Sequence, residues 1–250
     1  MRVARAAVVV VSGSFLMNVD YPVSMRLRGR PVLLVGAGSI AEARALDLVA
    51  AGAQLTVIAP AASAGLRTLA RAGALRLHER VAIDDDVGGF DLIFVATADR
   101  SVSESIAAAA RRARVWVNTA DVPDLCDFTL PSVGRRGPIS VAVSTSGTAP
   151  ALARRLRLQL IESIGARHAE LARVVGFLRQ RLPAGPRRMQ LLGEVVDGDI
   201  GAALLAGRRR EAFAALRRKV GRFESLLADT QAGSRRETRM RNRSSTQEQA

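Results

Sequence analysis

Short aliphatic runs alternate with longer stretches of helical spacing over the first half of the chain. Pro31-Val32-Leu33-Leu34-Val35 stops at Gly36-Ala37-Gly38, and Ala41 to Ala51 then reads as a helix closed by Gly52. Gln54 to Ile58 is the next strand and ends at Ala59-Pro60, completing a strand–helix–strand unit of about 30 residues. A helix over Ala64 to Ala72, a strand near Leu75 to Leu77 and a strand over Leu92 to Ala96 follow. Ser101 is placed to cap a helix over Ser103 to Arg112, and Arg114 to Asn118 forms a fifth strand. Five strands alternating with helices predict the α/β class, as a doubly wound parallel sheet of the Rossmann type.

After Pro123 the pattern changes. Phe128-Thr129-Leu130-Pro131 and Ile139 to Val143 read as strands about the turn Arg135-Arg136-Gly137-Pro138, a hairpin-like unit outside the main sheet. From Ala149 to Leu182 the apolar spacing is helical, with Pro150 near a helix start and Pro183 past a helix end. Residues 17–127 are thus assigned to the Rossmann domain, 128–149 to a small β-containing segment and 150–228 to a helical domain. Residues 229–250 have no periodic apolar face and are expected to be a disordered basic tail. Residues 1–16 read as a dispensable or wrongly assigned extension, with Met17 beginning the functional chain.

Composition narrows the chemistry. Thirty-seven Lys and Arg against 23 acids give a formal charge of +14, much of it after residue 150, which calls for an acidic partner. Nucleic acid, an anionic membrane surface and a small polycarboxylate all satisfy that demand. Cys126 is the single cysteine, so an intramolecular disulfide and a Cys-based zinc site are excluded; with only His78 and His168 as imidazoles, no transition-metal site is expected. The single cysteine fits a reducing cytoplasm best. The start is only weakly signal-like, with a poor cleavage pattern, and no later apolar run approaches the roughly 20 residues of a spanning helix, so no membrane insertion is expected.

Gly36-x-Gly38-x-x-Ala41 lies between a strand and a helix, where two glycines allow close approach of a pyrophosphate to the positive helix end. The second strand lacks the acid that usually binds the adenosine ribose, Ala59 and Pro60 occupying its place, and Arg67 is several residues from where a 2′-phosphate would sit. NAD is accordingly expected in preference to NADP. Thr97-Ala98-Asp99 follows the fourth strand at its carboxyl end, where open α/β sheets bind ligands, so Thr97 and Asp99 are cofactor-binding candidates. Asn118-Thr119-Ala120-Asp121 follows the fifth; Asp121 is a candidate base or substrate anchor, or simply a turn residue. Ser144-Thr145-Ser146-Gly147-Thr148 precedes a helix with Arg154 and Arg155 near its start. That corner suits carboxylates or phosphate, and equally suits ordinary helix capping.

Four ordered motifs now coincide: Gly36-Ala37-Gly38-Ser39-Ile40-Ala41, Asn118-Thr119-Ala120-Asp121-Val122-Pro123, Phe128-Thr129-Leu130-Pro131-Ser132, and Val141-Ala142-Val143-Ser144-Thr145-Ser146-Gly147-Thr148-Ala149-Pro150. Together they resemble the precorrin-2 dehydrogenase/sirohydrochlorin ferrochelatase family, the amino-terminal module of sirohaem synthase, from about Met17 to the helices near 220. The resemblance implies NAD-dependent oxidation of precorrin-2 to sirohydrochlorin in a homodimer joined through the middle segment, with ferrous iron as a substrate of chelation in some members. It implies Asp121 as the catalytic aspartate and Ser39, Ile40, Pro60 and Ala61, beside Gly36 and Gly38, as cofactor contacts. Asn118, Ser144, Thr145, Ser146, Gly147 and Thr148 are then the candidates for binding substrate. Ala43-Arg44 departs from the Arg-Lys pair common in the first helix, and Thr145 stands where relatives often carry a phosphorylatable serine. The competing readings are a Rossmann oxidoreductase acting on another acidic small molecule and an NAD-binding redox regulator. The regulator should bind DNA with steep salt dependence, and no recognition-helix pattern or nucleic-acid partner is expected.

Overall fold

The computed structural model describes residues 20–222. The expectations for residues 1–16, for Met17 and for the tail over 229–250 lie outside the described residues. Two compact units divide the chain. Of the described residues, one unit takes those up to Pro131 together with Ser144–Pro150; the other combines Ser132–Val143 with residues 151–222.

In the first unit five parallel strands have the order β3-β2-β1-β4-β5. They are β1 (Pro31–Val35), β2 (Gln54–Ala59), β3 (Arg76–Glu79), β4 (Leu92–Val95) and β5 (Trp116–Thr119), with helices α1 (Ser39–Ala50), α2 (Ala64–Arg71) and α3 (Arg100–Arg112) between them. The sheet carries apolar residues on both faces because helices cover both. Leu33, Val35, Ile93, Val95 and Val117 pack with Ile106 and Ala110 of α3, whereas Val32, Leu34, Leu55, Val57 and Leu92 pack with Ala41, Ala45 and Leu48 of α1 and Leu66 of α2. The chain leaves β1 towards β2 on one side and returns to β4 on the other. That reversal opens a crevice at the carboxyl ends of β1 and β4.

Several boundaries differ from the sequence expectation. Asp99 caps α3 in place of Ser101, its side chain accepting from the backbone N–H groups of Ser101 and Val102. The fifth strand begins at Trp116 because Arg114 adopts a left-handed φ of 58° in the turn leaving α3. Phe128 to Pro131 is not a strand. The antiparallel pair is β6 (Ser132–Arg136) with β7 (Ile139–Val143), joined by a turn at Gly137-Pro138 alone. Pro131, which has no N–H to contribute to a ladder, stands just before β6.

In the second unit the long helical stretch breaks at Gly165, the N-cap between α4 (Pro150–Ser163) and α5 (Ala166–Arg181). Then come α6 (Pro186–Asp197), α7 (Asp199–Leu205) and a helix over 209–222. Leu171, Leu178, Leu191, Leu192, Val195, Ile200, Leu204 and Leu216 form the core of this helical part. One side of α4 lies on the hairpin: a Cβ on Gly134 would meet Arg157 Cδ at 2.9 Å and Ile161 Cβ at 3.2 Å, so only glycine lets strand and helix approach this closely. Its neighbouring stripe, Leu152, Leu156 and Leu160 at four-residue spacing, is exposed. No helix among the described residues is long and apolar enough to cross a membrane.

Candidate active site

The glycine loop is closed from one side and open from the other. Gly36 has φ 114°, and a Cβ there would stand 2.2 Å from the Ala96 carbonyl oxygen and 3.1 Å from the Thr97 nitrogen, so the ends of β1 and β4 approach through it. Gly38 is the N-cap of α1 at an ordinary φ of −73°, makes no side-chain capping bond, and a Cβ on it would meet nothing within 4 Å. Helices α2 and α3 are capped by Ser63 and Asp99. The first turn of α1, with Ser39 and Ile40 exposed, therefore presents its amides and its positive dipole end to open space. These residues fit a dinucleotide pyrophosphate.

Thr97 adjoins this loop, and its hydroxyl accepts from the Asp99 N–H at 3.2 Å. The Asp99 Oδ1 accepts from Ser101 N at 2.9 Å, Ser101 Oγ at 2.7 Å and Val102 N at 3.2 Å, and these bonds, that of the Ser101 side chain foremost, hold its carboxyl below the ordinary value. Asp99 orders the start of α3 and thereby the loop after β4.

Asp121 stands just past β5, adjacent to β4 in the sheet, exposed and with φ 60°. Asp is among the few residues that tolerate this left-handed region. The loop around it is clamped at its base. Strand β5 is an edge, and the returning chain covers its open side with side-chain atoms as well as backbone. Asp127 N donates to Val117 O at 2.8 Å, while the Asp127 Oδ2 accepts from Val117 N at 3.0 Å. The Cys126 sulfur accepts from Thr119 N at 3.2 Å, and its thiol reaches Thr119 O at 3.1 Å and Val122 O at 3.4 Å. Arg111 ties the strap to α3 through Asp127 Oδ1 at 3.1 Å and the Asp124 carbonyl at 3.2 Å.

The Asn118 amide donates to Phe128 O at 2.8 Å, so this substrate-binding candidate anchors the strap. Phe128 stands edge-on to Phe94, over which the Arg44 guanidinium lies at 5.4 Å; burial lowers the Arg44 pKa. The strap is invisible to periodicity because side chains make it. Burial, ahead of every other influence, raises the Cys126 thiol pKa and keeps it protonated as a hydrogen-bonding group. Cys126→Ala is expected to leave the Thr119 N–H unpaired and cost about 1–3 kcal/mol, whereas Cys126→Ser should restore much of it; thermal melts of the two variants check this.

The Ser144–Thr148 corner spends three of its four hydroxyls locally. Ser144 Oγ accepts from Ser146 N at 3.1 Å, Thr145 Oγ1 from Ala149 N at 3.1 Å, and Thr148 Oγ1 donates to Thr145 O at 2.6 Å. Ser146 and Gly147 both have positive φ, 48° and 78°. The corner is a preformed turn that belongs to the same unit as the sheet. Pro60 and Ala61 are exposed just beyond β2. Beside them lies a carboxylate that sequence spacing did not single out: Glu79, set opposite Ala59 by the β2–β3 register. Among the described residues no group of three or more His, Cys, Asp or Glu could hold a metal ion.

Residues 23–132 match a family model described as "Putative NAD(P)-binding", and residues 136–163 one described as "Sirohaem biosynthesis protein central". The siroheme synthase of Methylococcus capsulatus is 41% identical over 198 residues, 77% of this chain and 42% of that protein. That of Methylobacillus flagellatus is 36% identical over 195 residues, again 42% of its length. The chain thus spans less than half the length of these relatives. A solved structure described as SirC, precorrin-2 dehydrogenase, superposes with a TM-score of 0.66 at 28% identity, covering 79% of this chain and 99% of that one.

Proposed function

The chain belongs to the family of precorrin-2 dehydrogenase and the amino-terminal module of sirohaem synthase, and from that premise we propose that it oxidises precorrin-2 to sirohydrochlorin with NAD. One observation carries the reading: the uncapped, open start of α1 behind Gly36 and Gly38 and the Asp121 loop lie along one edge of one sheet, at the ends of β1 and β5 with only β4 between them. When bound, NAD supplies the hydride acceptor. Gly36, Gly38, Ser39 and Ile40 would hold its pyrophosphate, Thr97 would line the crevice, and Pro60 and Ala61 would meet the adenosine end.

Oxidation removes a hydride and a proton from the tetrapyrrole. Asp121 accepts the proton, and its exposed carboxylate leaves room for a large substrate to approach. Precorrin-2 is a polycarboxylate, so a protein with a formal charge of +14 concentrates it near the site. The Ser144–Thr148 turn contacts the substrate acids through its backbone. The reaction belongs in the cytoplasm.

The test is an anaerobic assay with precorrin-2 and NAD, following NADH formation, with ferrous iron added afterwards to read chelation as a separate event. Turnover of another acidic substrate, with none of precorrin-2, would overturn the reading. Assembly is part of the same proposal: the exposed stripe Leu152, Leu156 and Leu160, next to a hairpin whose Val133 is also exposed, forms a homodimer contact. Leu156→Arg combined with Leu160→Arg is expected to convert a dimer to a folded monomer in light scattering. A parent protein that is monomeric at assay concentration removes this part.

A further inference from the structure

In folds of this topology an acid at the end of the second strand accepts a hydrogen bond from the adenosine ribose 2′-hydroxyl. Here Ala59 ends β2 and Pro60 follows, so that strand offers no carboxylate. The neighbouring strand does. Parallel pairing puts Glu79, the last residue of β3, opposite Ala59 at the same edge of the sheet.

The Glu79 side chain points towards the β2–α2 loop, where the nearby Ala62 backbone N–H, two residues past Pro60, adds a small influence favouring its ionised form. Arg67 of α2 grips it in a two-pronged pair: Nε donates to Oε1 at 3.0 Å and Nη2 to Oε2 at 2.6 Å. A carboxylate offers about four acceptor positions, and Arg67 engages two of them. The side chains remain 40% exposed for Glu79 and 49% for Arg67, so the acid keeps an open side. The hydrogen bond from Arg67 also holds the Glu79 carboxyl below its ordinary value, so the group is ionised at neutral pH.

We infer that Glu79 supplies the ribose-binding carboxylate missing from β2 and makes the site select NAD over NADP, with Arg67 acting as its counter-ion. The inference rests on the dinucleotide-binding reading above and goes past it to the discriminating residue. A 2′-hydroxyl donates to the free side of the carboxylate. A 2′-phosphate in the same position meets like charge, and the guanidinium that would otherwise attract it is already turned onto Glu79. In Glu79→Gln the repulsion is gone and Arg67 is released to the phosphate.

Titration of the purified protein with NADH and with NADPH, read by nucleotide fluorescence and by quenching of the single tryptophan, Trp116, tests this without turnover. The parent should prefer NADH by at least about tenfold. Glu79→Gln should shrink the NADH-to-NADPH preference by roughly tenfold or more, chiefly by tighter NADPH binding. Adding Arg67→Ala to Glu79→Gln should remove that gain, and Arg67→Ala alone should still reject NADPH. Since the pair is exposed, these variants should melt close to the parent, which a thermal scan verifies. A folded Glu79→Gln protein with an unchanged preference overturns the inference and leaves the dinucleotide site standing, as does a parent that prefers NADPH. A parent that binds neither dinucleotide overturns both.

Discussion

Asp121→Asn is expected to lower precorrin-2 oxidation by roughly 10²–10⁴-fold, the loss that follows removal of a general base, with NADH affinity unchanged. The substitution isolates basicity. Asp121 sits at φ 60°, a left-handed conformation that Asn adopts as readily as Asp, so the loop backbone has no reason to move. The contacts that clamp the loop come from Cys126, Asp127 and Arg111 and do not involve the Asp121 carboxylate. Turnover under anaerobic conditions, beside an NADH titration of the same preparation, separates chemistry from binding. Near-parent turnover would reduce Asp121 to a positioning group and leave water or substrate as the proton acceptor. If oxidation survives and iron insertion collapses, the two reactions use different proton acceptors.

Gly38→Val should raise the dissociation constant for NADH by at least about a hundredfold while the protein stays folded. A Cβ at this position meets nothing within 4 Å, and φ −73° with ψ −177° is extended backbone that valine accepts without strain. The branched side chain therefore fills only the space in which the pyrophosphate would lie. Gly36→Ala is the contrasting control: its Cβ would stand 2.2 Å from the Ala96 carbonyl oxygen at φ 114°. It should destabilise the fold by upwards of about 2 kcal/mol, visible as an early melt before any effect on the nucleotide is read. An NADH affinity unaltered in folded Gly38→Val removes the α1 terminus from the site.

The order of elements in the first unit was legible from residue pattern because each parallel strand is a short apolar run and each crossover helix has its own period. Leu33 and Leu34 point to opposite faces and are both fully buried, which explains the uninterrupted run. Gly36, Gly38 and Asp121 were legible as candidates for a related reason: each lies just after a strand, and strand ends of such sheets face the crevice. The pattern misplaced the hairpin, because Phe128 to Leu130 looks like a strand yet Phe128 is spent on an aromatic contact with Phe94.

What the chain determined by itself was therefore the sequence of strands and helices, the glycine turn and the position of Asp121 past β5, all of which depend on residues close to one another along the chain. Only the tertiary structure decided how residues distant in sequence share the work. Asp127 and Cys126 fold back to cover the edge of β5, and Glu79 comes to the end of β2 through strand register and the reach of Arg67. Such contacts have no period in sequence, since they depend on which strand ends lie side by side and on where individual side-chain atoms land.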